Sequence, residues 1–281
     1  MASVATTRPP RMIASLIDAA GVRHRPVPAG AARMVSLVPS LTELLFDLGL
    51  GDQVVGRTAF CVHPEGRVRA ARSVGGTKSV NVRKLRGLQP THVLVNIDET
   101  PRALAEELAA AGYTVVVTHP VEVRDNLALY SLLGGMFGKR EEASSLCRRF
   151  EVAYDAARRS AERLPERRVL YLIWKDPWMT VARDTYVSRM LASVGLRTLP
   201  ATSDRRYPMV ELTEDLLRPV DIVLFSSEPF PFEDRHLAEF RALHPAHADK
   251  AATIDAQMVS WYGSRAVRGL AYLAEFARAR T

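Results

Sequence analysis

Cysteine is scarce in this chain. Its only two, Cys61 and Cys147 among 281 residues, exclude a disulfide scaffold or a multi-cysteine zinc site and leave one bridge between them open. Lysine is nearly as rare: Lys78, Lys84, Lys139, Lys175 and Lys250 are all of it, so arginine supplies most of the 38 basic residues set against 31 acidic ones. The net charge of +7 is scattered, with short clusters at 67–72 and 163–168. A nucleic-acid surface gathers charge into one stripe interleaved with aromatics; that pattern is missing, so no nucleic-acid partner is expected. No apolar run reaches the ~18 residues of a transmembrane helix, so no membrane span is expected. After Arg8 and Arg11, the run 12–17 stops at Asp18, short of the roughly 7–15-residue core of a signal peptide. No cysteine precedes Cys61, so neither an export signal nor a lipoprotein anchor is visible.

Chemical motifs are thin. Gly49-Leu50-Gly51 follows a helical pattern rather than a strand, and Gly75-Gly76-Thr77-Lys78 lacks the phosphate-loop spacing; both read as turns. There is no nucleophile elbow and no HExxH. Cys61 and His63, with His119 and Glu99, are candidate metal ligands, but two ligands one residue apart with the others unplaced make a weak metal signal. A hydrolase would need His63 or His119 beside Ser260 or Cys61. No catalytic residue and no required cofactor are expected.

Length and composition suit a globular chain, 47% apolar and 25% charged, of about two domains. Residues 1–32 read as a polar tail and an extended lead-in segment carrying Gly21, Pro26, Pro28 and Gly30. A strand–helix alternation then runs over 33–138: strands at 34–38, 54–55, 92–96 and 115–117, and helices at 40–48, 100–112 and 125–137. Ser40-Leu41-Thr42-Glu43 has the form of a capping box, and Gly49 stops that helix. Residues 139–164 hold no Gly or Pro and place Leu146, Phe150, Ala153, Ala157, Ala161 and Leu164 at helical spacing. This predicts a connecting helix of about 39 Å, over 139–165 with its terminating Pro165. Alternation resumes over 166–281, with strands at 169–173 and 222–225 and helices at 185–194, 212–218, 233–242 and 262–279. The fold class is therefore α/β: two Rossmann-like α/β lobes of parallel sheet joined by one long backbone helix, with the ligand cleft at the strands' carboxyl ends between them. A helix without Gly or Pro resists bending, so only a small change of lobe angle is expected on ligand binding.

Phe60, Trp174, Trp178, Tyr186, Tyr207, Phe230, Phe232, Trp261 and Tyr262 fall mostly where strands end or loops begin. As a set they suit the lining of a cleft for a large, flat, partly apolar ligand.

At these residues the chain resembles the class III substrate-binding proteins of cobalamin and iron-siderophore ABC importers, the helical-backbone metal receptors. The stretch RMVSLVPSLTELLFDLGLGDQVVG looks like the family's opening strand, helix and second strand. The blocks FCVHP, VGGTKSVNVRKLRGLQPTHVLVN, LYLIWKDPWMTVARDTY, VLFSSEPFPF and SWYGSR are similar to further family blocks. The resemblance runs from about residue 17 to the C-terminus. It implies a non-catalytic monomeric receptor for cobalamin, haem or a ferric chelate, and a cleft lined by Pro39, Phe60, Gly76, Thr77, Lys78, Trp178, Tyr207, Trp261 and Arg265. Alanine at Trp178 or Trp261 is then expected to cost affinity rather than stability. The resemblance also implies an acidic residue on each lobe for docking to an ABC permease. Glu214, or Glu211, matches on the second lobe, whereas the first carries Arg83. It implies the periplasm, while the missing export signal suits a cytoplasmic relative not coupled to a transporter.

Overall fold

The computed structural model describes residues 16–77 and 79–280. Lys78 and residues 1–15 lie outside the described residues. From Met34 the chain alternates strand and helix: β1 (Met34–Ser36), α1 (Pro39–Asp47), β2 (Val54–Arg57), β3 (Arg72–Ser73), α2 (Val82–Gly87), β4 (His92–Asn96), α3 (Arg102–Ala110), β5 (Thr114–Thr118) and α4 (Asp125–Met136). The connecting helix is α5 (Arg140–Ala161). The second lobe follows as β6 (Arg167–Leu172), α6 (Tyr186–Ala192), β7 (Leu196–Thr198), α7 (Glu214–Leu217), β8 (Ile222–Ser226), α8 (Asp234–Leu243), β9 (Ala251–Ile254), α9 (Ala256–Ser260) and α10 (Arg265–Arg278).

The first lobe's sheet has the order β3-β2-β1-β4-β5 and the second's β7-β6-β8-β9. Every pairing within them is parallel. Parallel strands covered on both faces need apolar side chains on both, which is why all of His92–Asn96 and all of Ile222–Ser226 are buried. All carboxyl ends of one sheet share an edge, so the loops after these strands are gathered together on each lobe.

The start of α1 corrects the capping-box expectation. Val38 is the N-cap and makes no side-chain cap, because Pro39 takes the first helical position, where its missing N–H is no loss. Ser40 lies inside the helix, and Glu43 turns to two arginines of α10. Side-chain caps occur elsewhere: Asn81 accepts from Lys84 N at 2.9 Å, Thr185 from Ser188 N at 3.3 Å and Asp255 from Gln257 N at 2.9 Å.

α5 has 22 residues, about 33 Å at 1.5 Å per residue. It is shorter than expected by its last turn, yet Ala143, Leu146, Phe150 and Ala157 are buried along one stripe as the spacing requires. It packs between α4 and α10, and one apolar cluster runs without a break from Leu41 and Leu44 through Phe150 to Tyr171, Met190 and Leu270. The lobes therefore share a core on the helix side. Gly263 seals this junction at φ 81°: a Cβ there would stand 3.3 Å from Leu44 Cβ and from the Ser40 carbonyl. Its N–H donates to Asn126 Oδ1 at 2.6 Å, and its carbonyl accepts from Tyr130 Oη at 2.8 Å.

Candidate functional site

The carboxyl-end loops of the two sheets face one another. From the first lobe come Pro39 after β1, 58–64 after β2, 74–80 after β3, 97–101 after β4 and 119–121 after β5; from the second come 173–178 after β6, 199–209 after β7, 227–230 after β8 and Asp255 with α9 after β9. Of the polar contacts that cross between the lobes, three lie on this side of the molecule. The Arg206 guanidinium reaches Asp98, and its Nη1 donates to His119 Nε2 at 2.9 Å. In the second, His63 Nε2 donates to Gln257 Oε1 at 3.0 Å. Gln257 Nε2 in turn donates to Glu228 Oε1 at 2.9 Å, and Trp261 Nε1 to Glu228 Oε2 at 3.1 Å. Between the two, Tyr262 Oη donates to Glu99 Oε1 at 3.2 Å.

Large apolar side chains are exposed in the same loops. Phe60 (61% exposed), Val62, Ile97, Trp174, Tyr207 (38%) and Met209 all lie there. Large apolar side chains left exposed together on facing loops suit a binding surface. Gly76 sits against Phe60, since a Cβ on it would come within 3.4 Å of that ring; Thr77 follows, half-buried, in the same loop.

Other expected site residues have different work. Trp178 is half-buried in the second lobe's own aromatic cluster, stacked on Phe232 at 6.0 Å and edge-on to Phe225 at 6.4 Å. Trp261 is buried, with the His63 ring edge-on at 5.6 Å and the Arg265 guanidinium over it at 4.8 Å. Arg265 is itself buried and donates Nε and Nη2 to the two carboxylate oxygens of Glu43 at 2.7 and 2.8 Å. Paired bidentately with Glu43 and only 4% exposed, this guanidinium is held in the core rather than presented as an open cleft surface, against its assignment to the cleft.

The metal reading finds no support in the geometry. The Cys61 thiol is buried among the hydroxyls of Thr42 and Thr58 at 3.1 and 3.2 Å, and burial pushes it up from its ordinary pKa. His63 and His119 are engaged by Gln257 and by Arg206 with Asp98. Among the described residues no three His, Cys, Asp or Glu side chains form a metal cluster. The hydrolase pairing is likewise not assembled: the Ser260 hydroxyl donates to the Ala256 carbonyl at 2.7 Å. Cys61 and Cys147 are both free, so the open bridge is not formed.

Sequence reasoning did not find Asp98, Arg206, Glu228 or Gln257. No local spacing marks them, because Asp98 and Arg206 are 108 positions apart. The one available signal is position, since each lies just beyond a strand's carboxyl end, in the loop it begins or, for Gln257, in the short helix that follows.

Two α/β lobes of parallel sheet on a helical spine, with an apolar cleft at the strand ends, define a two-lobed binding protein. The sequence profile of the periplasmic binding protein family matches residues 34–252, and the chain belongs to that family. It is 26% identical over 207 residues to a vitamin B12-binding protein of Yersinia pestis strain Pestoides F, covering 71% of each chain. Among solved structures it resembles the periplasmic vitamin B12-binding protein of Vibrio cholerae, with TM-score 0.77 and 17% identity over 90% of this chain and 99% of the other. It likewise resembles a periplasmic haem-binding protein of Roseiflexus sp. RS-1, with TM-score 0.77 and 23% identity over 90% of this chain and all of the other. At these identities the structural likeness shows the fold. No helix among the described residues is long and apolar enough to cross a membrane.

Proposed function

We propose that this protein is a non-catalytic receptor in the periplasm that holds cobalamin or a related metal chelate, haem or a ferric siderophore, between its lobes. One observation carries this: six of its exposed large apolar side chains, Phe60, Val62, Ile97, Trp174, Tyr207 and Met209, stand on the strand-end loops of both lobes. A flat macrocycle covers such a surface, and burial stabilises it by roughly 25 cal/mol per Å² of apolar area. The relatives named for vitamin B12 and haem support the ligand class.

The test is a titration of the purified protein with cobalamin, haemin and a ferric chelate, followed by absorbance. One of them is expected to shift its spectrum and saturate at one equivalent. Phe60→Ala is expected to weaken that binding at least tenfold, about 1.4 kcal/mol, with stability unchanged within about 0.5 kcal/mol because the ring is exposed. Saturable binding that survives Phe60→Ala unaltered would move the site elsewhere. No spectral change with any of the three would remove the reading.

A second reading, binding without delivery to a permease, is favoured by one charge pattern. α2 and α7 occupy corresponding places in the two lobes, yet α2 exposes Arg83, Lys84 and Arg86, whereas α7 exposes Glu214. Glu214 accepts from His247 Nε2 at 2.8 Å, and that bond holds its carboxyl below the usual range. If the chain docks to a permease through Glu214, Glu214→Lys lowers ligand uptake by cells and leaves affinity in solution intact. Uptake equal to that of the native protein would favour the uncoupled reading.

A further inference from the structure

Three carboxylates, Asp98, Glu99 and Glu228, lie on the strand-end loops that floor the cleft, Glu99 within electrostatic reach of the other two, and one of the three has a cation. Asp98 is held by Arg206, with His119 alongside. Glu228 accepts two neutral donors, the Gln257 amide and the Trp261 indole. Glu99 accepts the Tyr262 hydroxyl. Among the described residues no arginine, lysine or histidine forms an ion pair with Glu99 or Glu228. A sheltered carboxylate without a countercharge is costly unless donors reach it. Each ionised carboxylate has about four acceptor sites, so the neutral donors present leave capacity on both.

The groups that act on Glu99 come from both lobes: Asp98 on its own loop, Tyr262 ahead of α10, Glu228 after β8 and Tyr207 after β7. Burial first, and then the charges of Asp98 and Glu228, push its carboxyl up to about 7, against the opposing bond from Tyr262. Glu99 is therefore ionised above pH 7 and protonated below it.

We propose that this floor selects ligands by charge: Glu99 and Glu228 accept hydrogen bonds from amide or amine donors on the edge of a bound chelate and repel an edge that carries carboxylates. The proposal rests on the receptor reading above and narrows its ligand class to amide-edged, neutral or cationic chelates over dicarboxylate macrocycles.

Two probes of opposite edge chemistry test it: cyanocobalamin, edged with amides, and ferric protoporphyrin IX, edged with two propionates. At pH 8 the corrinoid is expected to bind at least tenfold more tightly. Glu228→Gln is expected to shrink that ratio by about tenfold, chiefly by strengthening porphyrin binding. Lowering the pH from 8 to 6 shrinks it in the native protein, and less in Glu99→Gln, which separates Glu99 from His63 and His119. Melting curves identify a variant that fails to fold, and the pH series on the native protein then carries the test. Equal affinities at pH 8, or a ratio that neither substitution nor pH moves, would overturn charge selection and leave the receptor reading standing. Failure of both probes to bind would overturn charge selection, and failure of the ferric chelate as well would overturn the receptor reading with it.

Discussion

Arg265→Ala is expected to lower the stability of the fold by about 3–5 kcal/mol, the usual cost of removing one partner from a buried ion pair. Both side chains are almost fully enclosed, at 4% exposure for Arg265 and 5% for Glu43, and two hydrogen bonds join them. Arg268 also donates to Glu43, at 2.8 Å, but its side chain is 60% exposed and cannot fill the space left behind. The loss arises from the packing and the two hydrogen bonds of the buried guanidinium, and from a Glu43 carboxylate left in the core with Arg268 as its remaining partner. Replacing the pair together by apolar residues of similar volume, as in Glu43→Leu with Arg265→Met, is therefore expected to recover most of it. Urea unfolding of the two single variants and the double variant measures this, with ligand affinity per folded molecule unchanged throughout. A loss under about 1 kcal/mol accompanied by weaker ligand binding would return Arg265 to the cleft.

Trp261→Ala is expected to cost about 3–5 kcal/mol, the range for a large aromatic removed from a packed site. The indole is 7% exposed, and its N–H answers Glu228. Trp261→Phe keeps much of the packing and loses the hydrogen bond, so a smaller cost of about 1.5–3 kcal/mol is expected. The Arg265 guanidinium lies 4.8 Å from the Trp261 ring centre, so the two alanine effects should not add. Melting temperature and ligand affinity measured on each variant decide the matter. A tenfold loss of affinity with unchanged melting would show the indole to be a cleft surface, as its place in SWYGSR suggested.

The regular parts of the fold were legible because their periodicity is local. HVLVN is β4 residue for residue, and the 4-3-4 spacing through Leu146, Phe150, Ala153 and Ala157 marked the stripe of α5. The edge strands β3 and β7 escaped because Arg72–Ser73 has no apolar residue and Leu196–Thr198 only one, so neither shows an apolar run. β9 escaped because its Ala251 and Ala252 carry little apolar signal. In the site, Phe60 and Tyr207 could be read as aromatics beyond strand ends. Ser40 and Glu43 were misleading for a physical reason: the capping-box spacing is real, but a helix start set by Pro39 and a cation far along the chain give Glu43 another partner. No local pattern reports a partner at such a distance, and Asp98 with Arg206 was hidden in the same way.

The same separation bears on how the protein is made. A ribosome delivers Glu43 222 residues before Arg265, an interval of about 10–45 s at roughly 5–20 residues per second. Throughout that time α1 carries a carboxylate amid Leu41, Leu44 and Leu45 with its countercharge still unsynthesised. Tyr130 and Asn126 likewise wait for Gly263. The amino-terminal lobe, although complete in its strands early on, thus cannot close its helical face as an autonomous unit. That face is closed only once α10 emerges, so a helix of the second lobe completes the first.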